Sequence, residues 1–120
     1  MAAEFWIEER QLQLPIAVLK IGGRMGANPA KELRTRCSEL KERGFENLVI
    51  DMSEVTFIAS SGVGALVVLT GEFSIRGGST HFVALSSPVQ RAIELLNLAQ
   101  FLAVHDSERD ALRQLEKQII

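Results

Sequence analysis

The residues of this chain best placed to do chemistry are two adjacent serines, Ser60 and Ser61, set between Ala59 on one side and Gly62 and Gly64 on the other. Small flanking residues leave the hydroxyls accessible. The following Val63, Leu66, Val67 and Thr70, with Phe73 beyond, fit a helix that begins at the serines. A helix start carries unpaired N–H groups and the positive end of the macrodipole, so it is suited to holding a phosphate. A phosphoserine there adds about two negative charges without unfolding its own domain, and so can switch a partner surface. The plainer reading of the same residues is a serine cap with small neighbours for tight packing.

Other chemistries find less support. The pair Gly62-x-Gly64 lacks the third glycine and the strand-to-turn placement of a dinucleotide fingerprint, and no glycine-rich loop ends in Gly-Lys-Ser/Thr. Ala59-Ser60-Ser61-Gly62 departs from the Gly-x-Ser-x-Gly pattern of a hydrolase nucleophile elbow. His81 falls inside an expected strand and His105 near a strand end, which gives both structural or surface roles. A small hydrolase would need one of them within hydrogen-bond reach of Ser60. No spacing resembles a metal site, so neither a catalytic residue, a metal nor a cofactor is expected. Cys37 has no cysteine to pair with, which suits a reducing cytosol, and it reads as a half-buried helix thiol.

The elements that must position the serines follow from the apolar pattern. Phe5 to Leu12 and Ile16 to Ile21 read as two early strands in a hairpin, the second stopped by Gly22-Gly23. Asn28-Pro29 supplies a cap and an early proline for a first helix, with Leu33, Cys37 and Leu40 at helical spacing up to Gly44. Asn47 to Met52 contains the continuous apolar run Leu48-Val49-Ile50 expected of a strand covered on both faces. A connection from Glu54 to Ser61 then leads to the serine helix, which ends at Arg76-Gly77-Gly78. Thr80 to Leu85 is a strand. Ser87-Pro88-Val89-Gln90 has capping-box spacing for a third helix running to about Asn97. Phe101 to Val104 is a last short strand, and Ser107 opens a terminal helix with Ala111, Leu112 and Leu115 on one side. Alternation of this kind predicts an α/β fold: a mixed, mostly parallel open β-sheet with helices packed against it. Functional groups then gather where strand carboxyl ends meet helix N-termini.

Composition narrows the function. At 120 residues the chain is one compact domain, spanning 1–120. With 47% apolar and 23% charged residues it can build a core, and disorder is excluded. A net charge of −2 argues against a nucleic-acid partner, which would demand a basic face. The N-terminus opens with Glu4, Glu8 and Glu9 rather than a basic region and an apolar run, so no signal peptide is expected and the location is cytoplasmic. Val55 to Gly71 carries no charge, but Ser60, Ser61, Gly62 and Gly64 interrupt it. It reads as the buried centre of a fold rather than a membrane span.

The run Asn47-Leu48-Val49-Ile50-Asp51-Met52-Ser53-Glu54-Val55-Thr56-Phe57-Ile58-Ala59-Ser60-Ser61-Gly62-Val63-Gly64 resembles the STAS domain, and within it the anti-sigma factor antagonists of bacterial partner-switching systems. Gly23-Arg24-Met25-Gly26 with Ala30-Lys31-Glu32-Leu33 is similar to that family's first loop and helix, and Ser87 to Leu98 to its third helix. The resemblance implies a single STAS-like domain with a binding rather than an enzymatic role. Ser60 then matches the serine phosphorylated by an anti-sigma factor serine kinase, and a PP2C-type phosphatase reverses the modification. Ala59, Ser61, Gly62, Gly64 and Gly26 match the partner-binding loop, and the protein is expected as a monomer or weak dimer without nucleic-acid or membrane partners. Two positions depart from the family pattern: Ala59 stands where an Asp usually precedes the serine, and Gly26 where the first loop usually carries Asp. These departures favour the alternative of a STAS scaffold subunit, of a signalling complex or a transporter ATPase, that is never phosphorylated.

Overall fold

A computed structural model describes residues 4–13 and 15–119; of the expected 1–120 domain, residues 1–3, 14 and 120 lie outside the described residues. The chain runs β1 (Phe5–Gln11), β2 (Ile16–Met25), α1 (Ala27–Glu42), β3 (Asn47–Ile58), α2 (Ser60–Ile75), β4 (Ser79–Val83), α3 (Ser87–Leu95), a 3-10 turn at Ala99–Phe101, β5 (Ala103–His105) and α4 (Glu108–Ile119). The sheet is laid down in chain order, β1-β2-β3-β4-β5. β1 is antiparallel to β2, as expected of the hairpin, and every later pair is parallel.

That order decides the layers. Right-handed crossovers between successive neighbouring strands put all their connecting helices on one face. Accordingly Leu33, Cys37 and Leu40 of α1, Leu66, Leu69 and Phe73 of α2, and Val89 and Ile93 of α3 share a core with Leu19, Leu48, Ile50 and Phe82 of the sheet. The last helix leaves after the final strand and covers the opposite face, where Ala111 and Leu115 meet Ile16, Val18, Val49 and Val83. α2 is the central helix of the three-helix layer, which explains its nearly uncharged sequence: its one charged residue, Glu72, lies 3.8 Å from both Arg34 and Lys41 of α1.

Several boundaries differ from the sequence expectation. β2 does not stop at Gly22-Gly23 but runs on to Met25. Gly22 lies opposite Trp6, and a Cβ there would run into the indole, so the glycine admits a close approach instead of ending the strand. β3 extends to Ile58, because residues Glu54 to Ile58 pair in parallel with Gly22 to Met25; the expected loop from Glu54 is mostly strand. The caps also move. α1 is preceded by Gly26 rather than Asn28, and α3 by Ser86 rather than Ser87, with no side-chain cap bond at either. α3 stops at Leu95 because Asn97 adopts a φ of 59° and closes the helix, with Leu98 N–H donating to the Ile93 carbonyl at 3.0 Å. Gly44 and Gly77, at positive φ, close α1 and α2 in the same way.

Candidate functional site

The carboxyl ends of the parallel strands and the N-termini of the helices meet at one end of the sheet. There the Ala59 N–H donates to the Met25 carbonyl at 3.1 Å and joins the ends of β3 and β2, so that Gly26 and Ala59, the residues before α1 and α2, sit side by side. Every residue of the sequence-predicted loop is therefore brought to one place. Ala59 is extended (φ −87°, ψ 169°), and its carbonyl accepts from Gly62 N–H at 2.9 Å and Val63 N–H at 3.1 Å. The cap is thus Ala59 and not a serine: Ser60 is the first helical residue, and its hydroxyl makes no capping bond.

Ser60 and Ser61 are both exposed, and among the described residues neither their hydroxyls nor their backbone N–H groups find a partner. No carboxylate lies in the first turn of α1 or α2. Unpaired donors at the positive end of a helix, with no acidic residue in the first turn of either helix, leave a positive local potential at this loop.

The two glycines of the motif have different reasons. A Cβ at Gly62 would come within 2.8 Å of both the Met25 carbonyl oxygen and Ile58 Cγ1, so glycine is what lets α2 seat on the strand ends. Gly64 is exposed with open space around it, as is the space around Gly26, and neither has a positive φ. The exposed line Ser60, Gly64, Val68 and Gly71 leaves along α2 a strip without charge.

One feature escaped the sequence reading. Arg24 and Phe57 are register partners one step before the site, and the Arg24 guanidinium stacks 4.4 Å over the Phe57 ring. Both strands read as ending earlier, so nothing in the local pattern joined these residues.

The histidines do not serve Ser60. The Ser79 hydroxyl donates to Asn47 Oδ1 at 2.9 Å, so its oxygen accepts from His81 Nε2–H at 2.9 Å. Neutral His81 is left with an unprotonated Nδ1, which accepts from His105 Nε2–H at 2.9 Å. Burial, with His105 adding to it, pushes the His81 pKa down to about 4, which keeps this chain of bonds in the neutral form. Cys37 is fully buried rather than half-buried, and burial raises its thiol to about 12. Val55 to Gly71 divides between β3 and α2, and among the described residues no helix is long and apolar enough to cross a membrane.

The STAS domain family model matches residues 9–111. The chain belongs to the STAS domain family. It is 22% identical over 102 residues to the anti-sigma F factor antagonist of Paenibacillus polymyxa, covering 84% of this chain and 87% of the relative. An anti-sigma factor antagonist from Mycobacterium paratuberculosis superposes with a TM-score of 0.81 at 20% identity, over 93% of this chain and 94% of that one. The anti-sigma factor antagonist SpoIIAA in its unphosphorylated form gives 0.79 at 16% identity, over 93% and 97%. The STAS fold expected from the sequence is the one observed, and these three relatives are anti-sigma factor antagonists.

Proposed function

We propose that this protein is a partner-switching regulator of the anti-sigma factor antagonist type, acting in the cytoplasm as a monomer or weak dimer. In this reading the start of α2 docks on an anti-sigma factor serine kinase, that kinase phosphorylates Ser60, and a PP2C-type phosphatase restores the hydroxyl. Ala59, Ser61, Gly62, Gly64 and Gly26 shape the docking loop. The observation that carries the reading is Ser60 itself: an exposed hydroxyl, unpartnered among the described residues, on the first residue of a helix whose Ser60 and Ser61 N–H groups are likewise unpaired. The N–H groups orient a phosphate there, and with no carboxylate in either adjoining turn it becomes the dominant charge of the loop. A partner packed on the uncharged strip of α2 would then have to desolvate that charge, and binding weakens.

The test is binding of the purified kinase-type partner by wild type, Ser60→Ala and Ser60→Asp. Ser60→Ala should bind like wild type, and Ser60→Asp should bind at least about tenfold more weakly, a loss of about 1.4 kcal/mol. Equal affinities for all three would end the gating idea. A second reading, a STAS scaffold that is never phosphorylated, is favoured by Ala59 and Gly26: the open space at Gly26 would accept an acidic side chain, yet none is present. Intact mass after incubation with the kinase and ATP separates the two, since only the switch gains a phosphate, and gains none as Ser60→Ala.

A further inference from the structure

Away from Ser60, at the ends of β4 and β5, a cleft of about 310 Å³ opens between α3 and β5. Its floor is apolar, formed by residues that include Leu85, Ile93 and Val104, while Glu94, Asp106 and His105 stand on its walls. Among the described residues neither carboxylate meets a cation; Glu94 only accepts from Gln90 Nε2 at 3.3 Å, and no Lys or Arg lines the cleft. The same segment of chain that forms its wall exposes Leu95 (81%), Leu96 (48%) and Phe101 (57%), and Val104 on the floor is itself 42% exposed. Several large apolar side chains left exposed within one short segment mark a candidate interaction region.

From this arrangement we infer that the α3–β5 cleft docks a segment of another protein that places leucine-type side chains on the floor and Lys or Arg against Glu94 and Asp106. Charge complementarity selects a basic partner, because an acidic one would face two carboxylates that form no ion pair among the described residues, although Arg91 lies beside Glu94 outside the cleft. A small amine would meet the carboxylates but leave the apolar lining of Leu85, Ile93 and Val104 without a partner. A twofold pairing with a second copy would bring two acidic cleft walls together with no Lys or Arg in either lining to pair them, since such an interface joins the same patch of both copies. The cleft shares no lining residue with the Ser60 loop, so the inference does not depend on the switch reading.

The test is an NMR titration of the isotope-labelled full chain with a synthetic helical peptide carrying leucines on one face and lysines beside them. Parallel titrations use the same peptide with glutamates for lysines, and n-butylammonium alone. The lysine peptide should shift the amides of Ala99, Val104 and His105. The glutamate peptide should bind at least about tenfold more weakly, and Glu94→Gln with Asp106→Asn should cost the lysine peptide a similar factor and flatten its salt dependence. Glu94 and Asp106 are exposed, so this double variant keeps the fold; the exposed pair Leu95→Ser and Phe101→Ser should also weaken binding. Ser60→Asp should leave this binding unchanged. No binding, equal binding of both peptides, shifts confined to other residues, n-butylammonium matching the peptide, or concentration-dependent shifts of these amides in the chain alone would each overturn the inference.

Discussion

Replacing Gly62 and Gly64 by alanine, one at a time, should change stability in opposite directions although the two glycines lie two residues apart in one helix. An alanine is worth about 1 kcal/mol over glycine in a helix interior. At position 64 nothing lies within 4 Å of the new Cβ, so most of that gain is realised and Gly64→Ala should be more stable by about 0.5–1 kcal/mol. At position 62 the Cβ meets Ile58 Cγ1 and the Met25 carbonyl oxygen, both at 2.8 Å, with Met25 Cγ at 3.2 Å. The isoleucine end can turn aside, but the carbonyl is held by the Ala59 N–H that joins the ends of β2 and β3. Overpacking of this kind costs about 1–3 kcal/mol, which exceeds the propensity gain, so Gly62→Ala should lose about 1 kcal/mol net. Equilibrium urea unfolding reads both, as shifts of the midpoint at constant slope. Because the carbonyl sits between the two helix starts, Gly62→Ala should also perturb the amides of Gly26 and Ser60. A Gly62→Ala variant as stable as wild type, or two variants moving in the same direction, would refute the claim that Gly62 is there for close approach and Gly64 is not.

Three further outcomes are expected. With its pKa lowered to about 4 from the ordinary 6.5, His81 stays neutral in the fold while the unfolded chain takes up a proton. Stability is therefore complete above the ordinary value and falls by roughly 2 kcal/mol between about pH 7 and about pH 5, and urea midpoints should show this slope in wild type but not in His81→Gln. Cys37, fully buried with its thiol raised to about 12, should resist alkylation near pH 8 until denaturant opens the chain; rapid labelling of the native protein would contradict the packing of α1 on the sheet. Thr80 Oγ1 is buried without a hydrogen-bond partner among the described residues, so Thr80→Val should leave stability unchanged or raise it by up to about 1 kcal/mol, and a clear loss on calorimetric unfolding would mean that the hydroxyl is bonded.

Much of the site could be read from the chain because its signals are local. Small residues around two serines, followed by an apolar run, mark a helix start wherever they occur, and Gly44 and Gly77 end helices because glycine tolerates positive φ. The continuous apolar run Leu48-Val49-Ile50 announced a doubly covered strand, and the alternation of elements with short connections allowed few arrangements besides a mostly parallel sheet. What local pattern could not carry were facts that depend on a neighbour distant in sequence. β3 continues to Ile58 because β2 lies beside it, through residues that are too polar and too exposed to show a buried strand's signature. Arg24 meets Phe57, and His81 meets His105, only across paired strands.

By itself, then, the sequence determined that a serine would stand at the start of a central, nearly uncharged helix in an α/β domain, since propensity, capping chemistry and apolar period are properties of adjacent residues. Only the tertiary structure decided that Ala59 holds the cap position and leaves the Ser60 hydroxyl unengaged, that Gly62 is required while Gly64 is free, and that Gly26 sits beside the serine loop. Each of these follows from the Met25 carbonyl reaching across to Ala59, a hydrogen bond between residues 34 positions apart that exists once the two strand ends have paired.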